Sequence, residues 1–361
     1  MATVVITPLD VETPALIVDL DRLTSNIAAM SESARGKAVA LRPHAKTHKS
    51  IQIADLQVEA GAVGITVATV SEAEAFAGHG IDDIFIAYPV LPVGAKARRF
   101  RDLVDRVTLR VGVESSAGAQ AIADASGGRG VSVVIEIDSG QHRTGVQASE
   151  VAALAAECRR MGLAVDGVFT HGGHAYSDPG APPRAGTDEG DQLEIAASAL
   201  REAGFAVSVV SAGSTPTWRA PRPSAVTEER PGTYVFGDRQ QLALGSQQQE
   251  GCAAWIAATV VSSRNGRVVI DAGSKALSGE RPHWLAGFGT VAELGDAVIT
   301  RVSEHHGILD DVDTSGVAVG DMVSVLPNHI CTAVNLFDEY VVIDDGRVVD
   351  RWELVARGRN A

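Results

Sequence analysis

Short β-rich apolar runs recur along the first two thirds of the chain, at about 39–43, 64–69, 83–88, 107–112, 131–137, 165–170, 207–212 and 233–237. Ala-rich helical segments lie between most of them, such as 71–77, 95–105 and 152–161. A further helix is expected over 25–34, where Leu23, Ile27 and Met30 recur at i, i+4, i+7. Strands alternating with helices imply βαβ units and a parallel sheet. Eight such runs predict a closed α/β (β/α)8 TIM-like barrel; an open sheet of six or seven strands is the alternative. After about residue 245 the rhythm changes. The runs 255–262, 267–270, 296–302, 321–326 and 339–343 are short strands. Two are followed by Arg264-Asn-Gly-Arg267 and Asp344-Asp-Gly-Arg347, and Asn-Gly or Asp-Gly between apolar runs signals a hairpin. The expected domains are therefore a barrel over 13–243 and an all-β domain over 244–361. A strand near 4–6, within 1–12, is expected to join the second.

The length of 361 residues suits this size, and 45% hydrophobic content is that of an ordinary globular protein. A formal charge of −14 argues against general nucleic-acid or acidic-membrane binding. No apolar run reaches the roughly 18 residues of a membrane span, and the N-terminus shows no signal-peptide pattern. Cys158, Cys252 and Cys331 are too few and too scattered for a disulfide framework, so the cytoplasm is the expected compartment.

Active sites of such barrels sit at the C-terminal ends of the strands. Those ends hold Lys46, Thr69, Tyr88 and Glu114, followed by Asp138-Ser-Gly-Gln-His-Arg143, His171-Gly-Gly-His-Ala-Tyr176 and Ser211-Ala-Gly-Ser-Thr215. The densest chemistry is in 40–49, where Arg42, His44, Lys46, His48 and Lys49 follow an apolar start. Pro43 biases Arg42 to an extended conformation. Alternate residues of an extended segment share a face, which would gather Arg42, His44, Lys46 and His48. Like charge and burial disfavour an ammonium ion, and a neutral lysine amine forms a Schiff base with a carbonyl. On composition alone the run also reads as a solvated basic turn.

Three further constellations stand out. Gly213-Ser214-Thr215 and Arg230-Pro-Gly232-Thr233 could cradle a phosphate at the seventh and eighth strands, or form ordinary turns. His329 and Cys331 at i, i+2 on an extended chain would reach one metal ion, and imidazole with thiolate suits zinc. They are two ligands only, and a buried Cys beside an incidental His is the plainer reading. Ser303-Glu-His305-His306 is a reservoir of further ligands or bases. His174 and Tyr176 can stack on a ring, transfer a proton or bind metal, or belong to a polar turn.

With these stretches in place, the chain resembles the D-serine dehydratase and D-threonine aldolase family, alanine-racemase-like fold-type III enzymes that use pyridoxal 5'-phosphate. The matching stretches include Thr13-Pro-Ala-Leu, Leu41-Arg-Pro-His-Ala-Lys-Thr-His-Lys49, Asp138-Ser-Gly-Gln-His-Arg-Thr-Gly145, His171-Gly-Gly-His-Ala-Tyr176, Gly213-Ser-Thr-Pro-Thr217, Arg230-Pro-Gly-Thr-Tyr-Val-Phe236, Asp271-Ala-Gly-Ser-Lys275 and Pro327-Asn-His-Ile-Cys331. The resemblance implies a barrel holding the cofactor, a β domain holding a divalent metal (zinc or manganese), a D-amino acid substrate and a homodimer. It makes Lys46 the Schiff-base lysine and places Arg143 near the phenolic oxygen of the cofactor. It gives Gly213, Ser214, Thr215, Gly232 and Thr233 the phosphate, Arg230 the pyridine nitrogen, and His329 and Cys331 the metal. His174 joins Lys46 as a catalytic candidate, and Tyr176 joins the cofactor set. The His-x-Cys form of the metal motif leans the reading to dehydration and away from retro-aldol cleavage. A racemase and a non-catalytic cofactor carrier are the remaining alternatives.

Overall fold

The computed structural model describes residues 10–221 and 225–361. Two compact units divide the chain. One comprises Ala29–Lys46, Ile53–Gly232 and Arg359–Ala361; the other comprises Met1–Ala28, Thr47–Gln52 and Thr233–Gly358.

With the strand Ala15–Asp19 counted as β1, the first unit holds β2 Ala40–Leu41, β3 Ile65–Val67, β4 Asp83–Pro89 and β5 Thr108–Val113. It continues with β6 Val131–Glu136, β7 Ala164–Phe169, β8 Val209–Ala212 and β9 Glu228–Glu229. All eight run parallel in the order β2-β9-β8-β7-β6-β5-β4-β3. The two ends of that order meet. Val63 N–H donates to Leu41 O (2.9 Å), Thr66 N–H to Pro43 O (2.8 Å) and Ala45 N–H to Thr66 O (2.8 Å). The sheet is thus a closed barrel, and the open-sheet alternative is excluded. Its interior holds Phe85, Val134, Phe169 and Val209, with Phe85 edge-on to Phe169 at 5.2 Å between ring centres.

The eighth strand is not where the apolar pattern put it. Thr233–Val235 is a 3-10 turn, and the strand is the acidic pair Glu228–Glu229, both buried. Burial of these carboxylates depends on partners. Glu228 accepts from Arg42 Nε (2.8 Å) and Ser211 Oγ (2.5 Å), while Lys37 Nζ lies 3.5 Å from Glu229 Oε1. Arg42 also pairs with Asp83 at 2.7 Å. It therefore belongs to an internal ion network and not to a cationic row with Lys46.

The second unit is built on β10 Ala254–Arg264, β11 Arg267–Ile270, β12 Gly289–Val291, β13 Ala297–Val298 and β14 Arg301–Val302. β15 Gly307–Asp310, β16 Met322–Pro327, β17 Glu339–Asp344 and β18 Arg347–Glu353 complete it. Its main path runs β13-β12-β16-β10-β1-β17-β18. β1 lies antiparallel to β10 and parallel to β17, so this strand sits in the β sheet although the sequence boundaries assign 13–19 to the barrel. Its alternate residues Ala15 and Ile17 pack with Trp255, Ala257, Val341 and Ile343. The strand expected near 4–6 lies outside the described residues. Both hairpins form as expected. Asn265-Gly266 and Asp345-Gly346 all have positive φ, the geometry of a two-residue turn between Arg264 and Arg267 or Asp344 and Arg347.

Candidate active site

Strand β2 stops at Leu41. His44 makes a single bridge to Thr66, and 45–48 form a turn. The expected extended alternation therefore ends at His44. His44 is anchored through its N–H to Pro231 O (3.0 Å), and the Lys46 N–H faces His44 Nδ1 at 3.4 Å. The half-buried Lys46 side chain has cationic company from other parts of the barrel. His171, at the end of β7, is held well below the usual histidine range, first by burial and then by Lys46, Arg143, Arg230 and His174. That ring is neutral at working pH. Lys46, Arg143 and Arg230, from three segments, thus share one neighbourhood with the two histidines of a fourth, a convergence of positive potential suited to an anionic ligand.

Arg230 is buried at 4% exposure. Its guanidinium donates to Ser211 Oγ and to the Thr170 carbonyl, and stacks near Phe169 (5.3 Å) and Phe85 (5.6 Å). Burial draws its pKa down, and Glu228, Glu189 and Glu136 oppose that. Arg143 is exposed, on a loop fastened at several points. Asp138 Oδ1 accepts from the N–H groups of Gly140 and His142 (both 3.0 Å), Thr144 Oγ1 donates to Glu136 (3.0 Å), and Gly145 N–H donates to Glu114 (2.6 Å). Glu136 itself is buried, and its Oε2 has no hydrogen-bond partner among the described residues. Burial raises its carboxyl above the usual range, with Glu114 adding to the rise and Thr144, Arg143 and Arg230 opposing it.

The phosphate segment follows β8. Gly213 has a positive φ of 93°. Its N–H faces Glu189 Oε1 at 3.3 Å, and Ser214 N–H donates to Thr217 Oγ1 at 3.0 Å. Two backbone donors that the sequence offers to a phosphate are therefore engaged within the protein. Ser214 and Thr215 are buried. Gly232 ends its stretch of the barrel unit, and Thr233 begins the longest stretch of the other. Tyr176 is half-buried at the end of the 3-10 turn Gly173–Tyr176.

His174 lies in the same turn, with Nε2 3.1 Å from Asp188 Oδ2. The two glycines before it are explained by close approach. A Cβ on Gly172 would lie 2.7 Å from Glu189 Cδ, and one on Gly173 would lie 2.2 Å from the Gln141 amide. Sequence reasoning did not single out Asp188 or Glu189, because acidic residues on a long amphipathic helix, here Ala181–Glu202, read as its solvated face.

In the second unit β16 ends at Pro327, and His329 caps the short helix Ile330–Val334. Cys331 therefore lies in a helical first turn, not on the extended chain the spacing implied. The two side chains still meet as a hydrogen-bonded pair. His329 Nδ1 lies 3.2 Å from Asp238 Oδ2, which also accepts from Ile330 N–H at 3.0 Å. Cys331 Sγ is 3.2 Å from Thr47 Oγ1 and 3.6 Å from Thr233 Oγ1. Thr233, a phosphate candidate, thus touches the metal candidate. Burial opposes charge on both partners. Even so, the Cys331 thiol is drawn below its ordinary value by His329, Thr47 and Thr233, and His329 is raised well above its own by Cys331 and Asp238. Each partner thus favours the charged form of the other, and a cation bound in place of a proton would take the neutral imidazole and thiolate forms as ligands. Among the described residues no group of three or more His, Cys, Asp or Glu side chains is placed to hold a metal. His305 and His306 are exposed, and Glu304 pairs with Lys275 at 2.6 Å. Asp238, missed in the sequence, lies behind His329 at 3.2 Å, the kind of carboxylate contact that fixes a histidine ring in metal sites.

A lysine set among basic side chains within an eight-stranded parallel barrel, with an all-β unit following in the chain, is the plan of the fold-type III pyridoxal-phosphate enzymes. The sequence matches the model "Alanine racemase, N-terminal domain" over residues 18–240 and "Putative serine dehydratase domain" over 253–343. The chain belongs to this family. It is 37% identical to a D-threo-3-hydroxyaspartate dehydratase of Delftia sp. (strain HT23), over 96% of this chain and 98% of that one. It is 33% identical to a D-threonine aldolase of Arthrobacter sp, over 96% and 93%. The solved structure of the Delftia dehydratase superposes with a TM-score of 0.87 at 36% identity, covering 95% of this chain and 97% of that one. Structures of D-threo-3-hydroxyaspartate dehydratase carrying a histidine-to-alanine and a cysteine-to-alanine replacement are also similar, the latter described as metal-free. No helix among the described residues is long and apolar enough to cross a membrane.

Proposed function

We propose that this protein is a pyridoxal-phosphate- and divalent-metal-dependent lyase that dehydrates β-hydroxy-D-amino acids to a 2-oxo acid and ammonia. The carrying observation is the coupled His329–Cys331 pair braced by Asp238. The histidine and cysteine replaced in the two solved D-threo-3-hydroxyaspartate dehydratase variants are also two positions apart. Imidazole and thiolate are donors for zinc, with manganese the second choice. Such an ion, completed by water or substrate, supplies Lewis acidity toward a β-hydroxyl.

The barrel suits the cofactor through the charge of its residues. Pyridoxal phosphate supplies an electron sink. Lys46 is assigned to hold it and, once released, to take the α-proton of the substrate. Arg143, on its fastened loop, is assigned to the phenolic oxygen. Arg230, packed against two phenylalanines, is assigned to the pyridine nitrogen, where a guanidinium would disfavour its protonation and raise the demand on the metal. Ser214, Thr215, Gly232 and Thr233 are assigned to the phosphate, Gly213 shapes the turn, and Tyr176 and His174 flank the ring. His171, held neutral, serves as a hydrogen-bonding group. We assign the cofactor to the barrel domain and the metal to the β domain. We also infer a homodimer, as in the family resembled, and a cytoplasmic location, which the three free cysteines support.

Product analysis tests the reading. D-threo-3-hydroxyaspartate and D-threonine are each supplied with the cofactor and zinc or manganese, with and without a chelator. Ammonia with the matching 2-oxo acid, lost on chelation, is expected. Glycine with an aldehyde would replace dehydration by retro-aldol cleavage, the activity named for the Arthrobacter relative. A change of configuration alone would make the protein a racemase.

A further inference from the structure

We propose that Asp188 and Glu189, neighbours on the helix Ala181–Glu202, are positioning residues for the barrel-mouth ligand. Asp188 fixes the tautomer of His174, and Glu189 ties the loop after β7 to the loop after β8. The inference rests on the reading that pyridoxal phosphate binds at Lys46.

Two independent sets of contacts carry it. His174 Nε2 lies 3.1 Å from Asp188 Oδ2. A carboxylate only accepts, so Nε2 carries a proton, and in the neutral form of the ring Nδ1 is left with a bare lone pair. Nδ1 is buried and has no hydrogen-bond partner among the described residues. A buried acceptor without a partner is disfavoured, and a ligand that brings a donor removes the penalty. Asp188 thereby makes Nδ1 the proton-accepting nitrogen. Gly140 packs against the same ring, where a Cβ would lie 3.3 Å from both His174 Cε1 and Nε2, so the ring has little freedom to turn.

Glu189 is fully buried. Its Oε1 accepts from Gly172 N–H at 2.8 Å and faces Gly213 N–H at 3.3 Å. These two residues belong to the segments assigned to the flank of the ring and to the phosphate. One carboxylate oxygen therefore sets the spacing between them. Gly172 permits the approach, since any larger residue there would strike the Glu189 side chain. Successive helix positions point in different directions, about 100° apart, which lets one helix serve two tasks.

Two measurements test the two halves. In the cofactor-free protein with 15N-labelled histidine, the His174 resonances, identified by their loss in His174→Gln, are expected to show an Nε2–H tautomer. Asp188→Ala, which removes the acceptor, should mix or invert the tautomers, and an unchanged spectrum overturns the role of Asp188. In cofactor titrations read by the visible absorbance of lysine-bound pyridoxal phosphate, Glu189→Ala should weaken binding by about tenfold or more. Glu189→Gln, which keeps one acceptor, should lose less and guards against a variant that does not fold. Asp188→Ala should leave cofactor affinity nearly intact while lowering kcat and moving its pH profile. Equal affinity in the unsubstituted protein and both Glu189 variants overturns the role of Glu189. Absence of the band in the unsubstituted protein overturns the underlying reading itself.

Discussion

Asp238→Asn is the sharpest test of the metal assignment. Asp238 is completely buried and uses both oxygens. Oδ1 accepts from Gln241 N–H at 2.8 Å and caps the helix Arg239–Ala243. Oδ2 accepts from Ile330 N–H at 3.0 Å and meets His329 Nδ1 at 3.2 Å. An asparagine can keep the cap with its carbonyl, but its NH2 group then faces Ile330 N–H and His329. Nδ1 of the histidine must become an acceptor, and its proton moves to Nε2, the nitrogen needed for the metal. Loss of such an outer partner costs about 10- to 100-fold in metal affinity, or about 1.4–2.7 kcal/mol. The stranded Ile330 N–H costs a further roughly 1–3 kcal/mol of fold stability. Zinc affinity from chelator competition and urea unfolding of the metal-free protein separate the two effects. If stability falls and zinc affinity stays within a factor of about two of the unsubstituted value, Asp238 merely holds the backbone and the metal assignment loses its support.

Other expectations follow from the barrel. Lys46→Ala should abolish the visible absorbance of bound cofactor without a change in the unfolding midpoint; a retained band would move the cofactor lysine elsewhere. Glu136 has a folded pKa above its unfolded one, so its contribution is fully present below the ordinary carboxylate range and is lost as pH rises through the raised value. Glu136→Gln should therefore match the unsubstituted protein in acid and exceed its stability at neutral pH. A pH-independent difference in urea unfolding would contradict that burial argument. Arg42→Leu leaves Glu228 without its cation in the barrel wall and should cost about 3–5 kcal/mol. Adding Glu228→Gln should recover part of it, and a purely additive double variant would show that the pair is not coupled.

The alternation of apolar runs and Ala-rich segments was enough to predict the barrel, because strand and helix periods are properties of local sequence. The two hairpin turns were legible for the same reason, since Asn-Gly and Asp-Gly supply positive φ within four residues. The family motifs singled out Lys46, His174, Arg230, His329 and Cys331 as candidates, and their roles stay assignments for experiment. Tertiary structure alone decided what local pattern cannot encode. Glu228–Glu229 is a strand because Arg42, Lys37 and Ser211, from distant positions, compensate its charge. β1 lies between β10 and β17 because its pairing edge is chosen by partners more than 230 residues away. Asp188, Glu189 and Asp238 are acidic residues without a motif, and their contacts with His174, Gly172, Gly213, His329 and Ile330 come only from how the chain folds. Desolvation makes those contacts matter, and burial is settled by the whole chain at once.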